Sequence, residues 1–335
     1  MRSIQSLIPL MPAENVQSSF LEQIKKKLPA NISLADEIAE TLDISRDSAY
    51  RRIRGETVLS LDEAKRLCTK FNVSLDALLG LESGIVPFRH LVVNHKPETF
   101  EHWLKSMFEN LELISRHSGK KEIAFTAKDV PVFHYFRYPE LLAFKMFFWM
   151  KSVFNYPEFQ SKKFSSSLVR SDLLSLARKI AKIYDEIPSV ELWSEETTNV
   201  TLKQLEFYYE SGFFNSAADS EPILAEYKQM VNDIKGCAAR GFKHTDASFT
   251  LYKNEILIAD NTVLYRMDDK KTVYIGHNIT ELLLTAHEPF IAQTENFINN
   301  LQARSVLIST TGEKERNKFF NRMEEKIEAS KKRIS

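Results

Sequence analysis

The sequence has few of the residues that cross-link small folds or build phosphate-binding loops. Its 335 residues include two cysteines, Cys68 and Cys237, and nine glycines. Two cysteines so far apart along the chain make neither a disulfide framework nor a cysteine zinc site, which favours a reducing cytoplasm. With so few glycines, the chain shows no Gly-rich loop of the kind that cradles phosphates.

A net charge of one sign and long apolar runs are also absent. Lys+Arg and Asp+Glu both number 45, so a surface for a charged partner must be local. No window approaches the ~20 apolar residues of a membrane span, and we expect no membrane partner. Residues 1–17 hold a short apolar run broken by prolines and lack the cleavage pattern of a signal peptide.

Histidines and serines, which can act in catalysis or bind metals, are present but do not form a recognisable cluster along the sequence. The eight histidines are scattered along the chain. The serine run at 165–167 has no base or orienting group at a recognisable spacing. We therefore expect no catalytic residues, no metal and no cofactor, so that the chain is not an enzyme.

The chain divides near residues 80–87, a turn-like stretch with two glycines and a proline. We predict a first domain over residues 13–81, a linker over 82–96 and a larger domain over 97–335. The apolar content of 43% and the charged content of 27% are typical of globular domains.

Residues 33–79 read as short helices separated by tight turns. The third of these helices follows Ser45, an N-cap whose hydroxyl accepts from free backbone N–H groups, and Gly55 ends it. Together with an opening helix, the predicted helices of the first domain cover 16–28, 34–42, 46–53, 61–71 and 74–79.

The third helix separates its residues into two sides. At about 100° per residue, one arc of about 140° collects its charged residues and a tyrosine. The residues of this arc are Arg46, Asp47, Tyr50, Arg51 and Arg54. The other side of the helix holds small Ala49 and apolar Ile53, together with Ser48 and Arg52. We expect this side to pack into the core. Leu61 of the fourth helix is predicted as another core residue.

The order and spacing of these residues resemble the lambda-repressor/Cro-like helix-turn-helix family, also called the XRE family. The matching elements are Ile38-Ala39-x-x-Leu42-x-Ile44-Ser45, Arg54-Gly55, Ser60 with the 67–71 helix, and Val73-Ser74-Leu75-Asp76-x-Leu78. The resemblance implies a five-helix fold, double-stranded DNA as the partner, dimers, and transcription regulation of the bacterial type.

The resemblance also assigns roles within the arc. It implies that Arg46, Asp47 and Arg51 reach base edges, where arginine donates to guanine and aspartate accepts from cytosine. Asp47 has the alternative of orienting Arg51 as an i,i+4 pair. Arg54 and the Tyr50 hydroxyl are expected on phosphates, which position the protein without reading sequence.

Four positions depart from the family pattern, which affects base preference more than fold. Family members often carry Gln where Arg46 and Ala35 stand, Glu where Ile53 stands, and Pro where Leu59 stands.

The larger domain is predicted to be α+β, in a mainly α chain. Helices are predicted over 97–116, 131–156 (one helix or two), 171–186, 202–209, 221–239, 288–304 and 313–333. Strands are predicted over 121–126, 248–252, 255–259, 262–267 and 271–276. The last four strands suggest a small antiparallel sheet in the form of a meander. The order of helix, strand, helical insertion, four-strand meander and helix is similar to that of GAF and PAS sensor domains.

Aromatic side chains concentrate in residues 133–159. Eleven lie there, in a chain with 23 Phe. We interpret them as buried core; the alternatives are a pocket for an apolar or planar effector and a dimer interface.

The sequence thus favours a sequence-specific, dimeric DNA-binding regulator whose larger domain senses an unknown small-molecule or protein effector or dimerises. Two alternatives stay open. One is a protein-interaction adaptor or antitoxin-like regulator. The other is an effector or enzyme whose helix-turn-helix serves only as an address.

Overall fold

The computed structural model describes residues 16–29, 31–75, 78, 85–90, 93–94, 96–256, 258–278 and 282–334. The chain forms two compact units, residues 1–87 and 88–335. Three of the predictions lie wholly or partly outside the described residues. They are the helix over 74–79, the start and end of the first domain, and much of the linker.

The first unit is helical. Its helices are α1 Val16–Lys27, α2 Leu34–Leu42, α3 Arg46–Ile53 and α4 Leu61–Phe71. They enclose one apolar core, which consists of Phe20, Leu21, Ile24, Ile38, Leu42, Ala49, Ala64, Leu67 and Val73. The prediction that Leu61 joins this core is wrong, because Leu61 is the first residue of α4 and is 86% exposed.

Local signals set the helix ends of this unit. α2 and α4 both end at a residue in the left-handed region, Asp43 with φ 59° and Asn72 with φ 50°. Short polar side chains tolerate this conformation better than other non-glycine residues. α4 begins with a capping box in which Ser60 and Glu63 each satisfy the other's free backbone N–H.

The second unit combines nine helices, as far as the structure describes it, with one sheet. The helices are α5 Pro97–Arg116, α6 Val132–Tyr135, α7 Pro139–Phe148, α8 Pro157–Gln160, α9 Ser171–Asp185, α10 Asn199–Glu210, α11 Glu221–Arg240, α12 Glu288–Ala303 and α13 Glu313–Ile334. A π-helical turn, Trp149–Val153, continues α7, and single 3-10 turns lie at Ser166–Leu168 and Ala217–Ser220.

The eight strands that the structure describes in this unit form a single mixed sheet. They are β1 Arg89–His90, β2 Lys121–Ala127, β3 Ser189–Trp193, β4 Phe249–Lys253, β5 Thr262–Met267, β6 Lys270–Gly276, β7 Leu282–Thr285 and β8 Val306–Leu307. Their order is β1-β7-β6-β5-β2-β3-β4-β8. β2, β3 and β4 are parallel, while β5, β6 and β7 form an antiparallel meander. The predicted small antiparallel sheet is therefore corrected to a larger mixed one, because β4 joins parallel strands instead of a hairpin.

The strand predicted over 255–259 is wrong. Residues 255, 256, 258 and 259, all of them described, lie in no strand. The side chain of Asn254 accepts from the backbone N–H of Ile256 at 3.1 Å and donates to its carbonyl at 2.7 Å. These local bonds hold the chain in a bend and compete with strand pairing.

Apolar cores cover both faces of the sheet. On one face, α12 packs onto a cluster that includes Ala124, Leu192 and Leu264. On the other face lies the main core, where all eleven aromatic residues of 133–159 are buried, which confirms their interpretation as core. Within the described ranges, no helix is both long enough and apolar enough to cross a membrane.

A fully buried carboxylate lies at the centre of the parallel strands. Glu191 of β3 has no exposed surface. Its oxygens lie 2.9 Å from His134 Nε2 and 2.8 Å from Trp193 Nε1, and they also accept from the Tyr184 hydroxyl. Burial alone would raise the pKa of Glu191, but the charge of His134 and these hydrogen bonds hold it below its ordinary value.

We predict that Glu191→Ala lowers the free energy of unfolding by ~3–5 kcal/mol, because three buried donors lose their acceptor. With a lowered pKa, the carboxylate stabilises the fold above its unfolded pKa of about 4.3, and this contribution is lost as the pH falls through the folded value. Chemical denaturation of the native chain and Glu191→Gln should therefore give curves that differ at neutral pH and converge only as the pH falls below the folded pKa of Glu191. Exposed Glu210→Gln is the control; an equal effect of both Gln variants would contradict the account.

Candidate nucleic-acid interface

The third helix is fixed at its start and along one side. Ser45 caps α3, its hydroxyl accepting from the Ser48 backbone N–H at 3.2 Å. The preceding turn is closed by a bond from the Ile44 N–H to the Ala39 carbonyl at 3.0 Å. Ala49 has no exposed surface, and its methyl group allows close approach of the neighbouring helices. α3 therefore has one orientation in the unit.

All five residues of the predicted arc are exposed, whereas the four on the opposite side are not. The exposed side chains keep 61% of their surface for Arg46, 59% for Arg51 and 53% for Arg54, and Tyr50 is 40% exposed. The structure thus brings Arg46, Asp47, Tyr50, Arg51 and Arg54 onto one accessible surface. We call it the α3 surface.

Each arginine of the α3 surface has a carboxylate neighbour. Arg46 lies 2.9 Å from Asp36, and Glu56 lies 2.6 Å from Arg54 and 3.8 Å from Arg51. The hydrogen bond from Arg54 holds the pKa of Glu56 below its ordinary value. Exposed ion pairs of this kind are weak, since water screens them, so the guanidinium groups remain available to another anion.

Arg52 differs from the other arginines of α3 because it is largely buried and bonds to groups within the first unit. Its guanidinium donates to Glu63 at 2.7 Å and to the Ser48 carbonyl at 3.2 Å, and the Arg52–Glu63 pair is only 15% and 20% exposed. Burial opposes ionisation of Glu63, but the hydrogen bonds from Arg52 and Ser60 hold its pKa below the ordinary value. The pair ties α3 to the first turn of α4.

A residue that sequence reasoning missed, Gln17 of α1, holds the segment after α3. Its amide nitrogen donates to the carbonyls of Arg52 at 2.8 Å and Thr57 at 2.9 Å, and its oxygen accepts from the Leu59 N–H at 2.8 Å. The only signal in the sequence is a glutamine in the first turn of a predicted helix. Its partners are about forty residues away, which pattern reading does not reveal.

The geometry defines a helical domain that presents one charged helix side. Residues 23–78 match the family model for the helix-turn-helix. This confirms the resemblance to lambda-repressor-like proteins for the N-terminal part of the chain. Comparison with curated proteins finds no match, and comparison with solved structures finds none either.

The histidine, cysteine and acidic side chains of the described ranges form no group of three or more that could hold a metal ion. The α3 surface joins a family match to an accessible, charged helix side.

We predict that Gln17→Ala weakens the α3–α4 connection, because three hydrogen bonds from its side chain to the backbone are lost, at a cost of ~1–3 kcal/mol. Hydrogen exchange of the full chain should show faster exchange of the Leu59 amide and its neighbours. Exposed Gln23→Ala on the same helix is the control. Unchanged exchange at Leu59 in Gln17→Ala would contradict the assigned role.

Proposed function

We propose that the protein is a sequence-specific, double-stranded DNA-binding transcription regulator. One observation carries the proposal: an exposed arc with three arginines lies on the third helix of a segment that matches the helix-turn-helix family. The family match supports DNA binding, and the exposure of the arc supports α3 as the reading helix. Such a protein works where the DNA is, which for a bacterial-type regulator is the cytoplasm.

The α3 surface suits the major groove, which admits one α-helix. In this proposal Arg46 and Arg51 donate to guanine and Asp47 accepts from cytosine. Each good arginine–guanine pair is worth ~1–3 kcal/mol of discrimination. Arg54 and the Tyr50 hydroxyl bind phosphates and fix the register. On docking, guanine edges replace Asp36 at Arg46 and Glu56 at Arg51, and a phosphate oxygen replaces Glu56 at Arg54.

The second unit is proposed to dimerise the protein or to sense an effector. A single small domain reads a short site, and helix-turn-helix dimers read two half-sites ~34–36 Å apart. We propose a non-enzymatic role for this unit, since Glu191 is fully engaged in holding the fold together.

One observation favours a second candidate, a protein-interaction role for the first unit. Val58 and Leu61, at the junction of α3 and α4, are 81% and 86% exposed. Exposed apolar residues of this size serve protein partners as well as thymine methyl groups. Co-purification of a protein partner, lost on Leu61→Ser and insensitive to nuclease, would favour this role.

We predict that Arg46→Ala and Arg51→Ala each change the sequence enriched from random duplex pools and lower affinity for the native site about 5- to 150-fold, the range that follows from losing one guanine contact. Lys26→Ala, an exposed cation on α1, is the matched control. If both α3 variants enrich the native site with native affinity, the proposed base readers are wrong.

We predict that Glu56→Gln raises affinity for any duplex about three- to tenfold at low salt, because a carboxylate that competes with the DNA for Arg51 and Arg54 is removed. Glu22→Gln on α1 makes the same charge change and should have little effect. Fluorescence anisotropy with a duplex of arbitrary sequence measures both. Equal gains from the two variants would show that only net charge matters.

A further inference from the structure

An open groove of about 600 Å³ lies in the second unit, outside the carboxyl ends of its three parallel strands. Lys128 directly follows β2, Ser194 and Glu196 follow β3, and Ile258 and Ala259 lie in the segment after β4. One side of α10 forms another wall, through Asn199, Val200, Lys203, Gln204 and Phe207. Open α/β sheets bind ligands outside the carboxyl ends of their strands, and the volume is typical of a small-molecule site.

The lining of the groove is mainly apolar. Phe148 of α7 and Ile258 are buried behind it, with 8% and 9% of their surface exposed. Phe207 of α10 is 48% exposed, although it is a large aromatic side chain. Such surfaces contribute most of the contact area in small-molecule sites, so the body of a ligand here is apolar.

Gln204 supplies the groove with a hydrogen-bond donor. The residue is 8% exposed, and its Oε1 accepts from Lys145 Nζ at 2.9 Å. Because an ammonium group only donates, this bond fixes the amide with Nε2 turned away from Lys145. Within the described ranges Nε2 makes no hydrogen bond, and it is not one of the fully buried unpartnered atoms of the unit. The donor is therefore accessible to a ligand.

Two lysines give the groove a positive charge. The Lys128 side chain is exposed and forms no ion pair within the part of the chain that the structure describes. Its backbone N–H donates to Asn261 at 2.9 Å, which fixes the residue beside the groove. Lys203 Nζ lies 2.8 Å from Glu206 but its side chain is 70% exposed, and water screens such a pair. Both ammonium groups are available to an anion.

The carboxylate of the described lining does not cancel this charge. Glu196 accepts from the Asn199 side-chain amide and lies 3.4 Å from Lys326 of α13. α10 also begins at Asn199 without a side-chain cap, and a helix N-terminus favours a negative charge. The polar groups left over are thus cations and donors, which complement an anion.

We propose that the groove binds a small organic anion that consists of an apolar body and one carboxylate. Lys128 and the Gln204 amide N–H bind the carboxylate, and the apolar body lies against Phe148 and Phe207. This inference rests on the sensing role proposed for the second unit. Its test needs no DNA, so a negative result would leave the proposed DNA binding untouched.

The test is calorimetric titration of the full chain at low salt with three naphthalene probes of similar size. Naphthoate carries a carboxylate, naphthamide is its neutral counterpart, and naphthylmethylamine is a cation. Naphthoate should bind about tenfold more tightly than naphthamide, since its hydrogen bonds are charge-assisted, and the amine should bind most weakly. Equal binding of naphthoate and naphthamide, tighter binding of the amine, or no binding of naphthoate would overturn the proposal.

Two variants test the groups that bind the carboxylate. Lys128→Met keeps an apolar stem and removes the charge, so naphthoate should lose about tenfold in affinity while naphthamide keeps its own. Gln204→Glu keeps an acceptor for Lys145 but replaces the donor with an oxygen, and should weaken naphthoate binding by at least as much. Lys182→Met, an exposed cation of α9 outside the groove, is the matched control. Native naphthoate affinity in Lys128→Met would contradict the assignment.

A third variant locates the binding. Val200→Trp fills the groove from α10 and should abolish binding of both naphthoate and naphthamide, with circular dichroism as the check on folding. Lys182→Trp places the same side chain on the exposed side of α9 and should bind both probes normally. Naphthoate binding that survives Val200→Trp in a folded chain would also overturn the proposal. Should Val200→Trp fail to fold, the probe series and Lys128→Met still decide.

Discussion

The orientation of α3 depends on the burial of one methyl group. Ala49 lies in the core of the first unit with no exposed surface, and a larger side chain there would push α3 away from its neighbours. With Ala49 inside, the 3.6-residue period turns Arg46, Tyr50 and Arg51 outward. The Arg52–Glu63 pair then ties the end of α3 to α4. The charged arc is thus a consequence of core packing.

In the second unit, core packing likewise decides which polar side chains find a hydrogen-bond partner. Its sheet carries a dense aromatic core on one face and α12 on the other. Almost every buried polar group there has a partner: Glu191 collects three donors, and Lys145 contacts Asp129, Thr201 and Gln204. Among the described residues of the unit, five buried side-chain atoms have no hydrogen-bond partner, one each on Arg137, Trp149, Thr198, His287 and Ser330.

The sequence predicts local structure far better than long-range contacts. α2, α3 and α4 have the predicted bounds, because Ser45 and Ser60 cap helices with clear apolar periodicity. β3, Ser189–Trp193, went unpredicted since it is short and its parallel partners are remote in sequence. The bend at Asn254 and the bridge from Gln17 depend on single side chains whose backbone partners no periodicity reveals. The exposed arc, in contrast, needs only the helical period.

The central claim is that the α3 surface contacts duplex DNA, and fluorine NMR tests it most directly. The full chain, labelled with 3-fluorotyrosine, gives one resonance for each of its 11 tyrosines. The Tyr50 signal is the one missing from Tyr50→Phe. The account predicts that a duplex added at low salt shifts this signal and that high salt reverses the shift. A Tyr50 signal that stays in place while the protein binds the duplex would contradict the account.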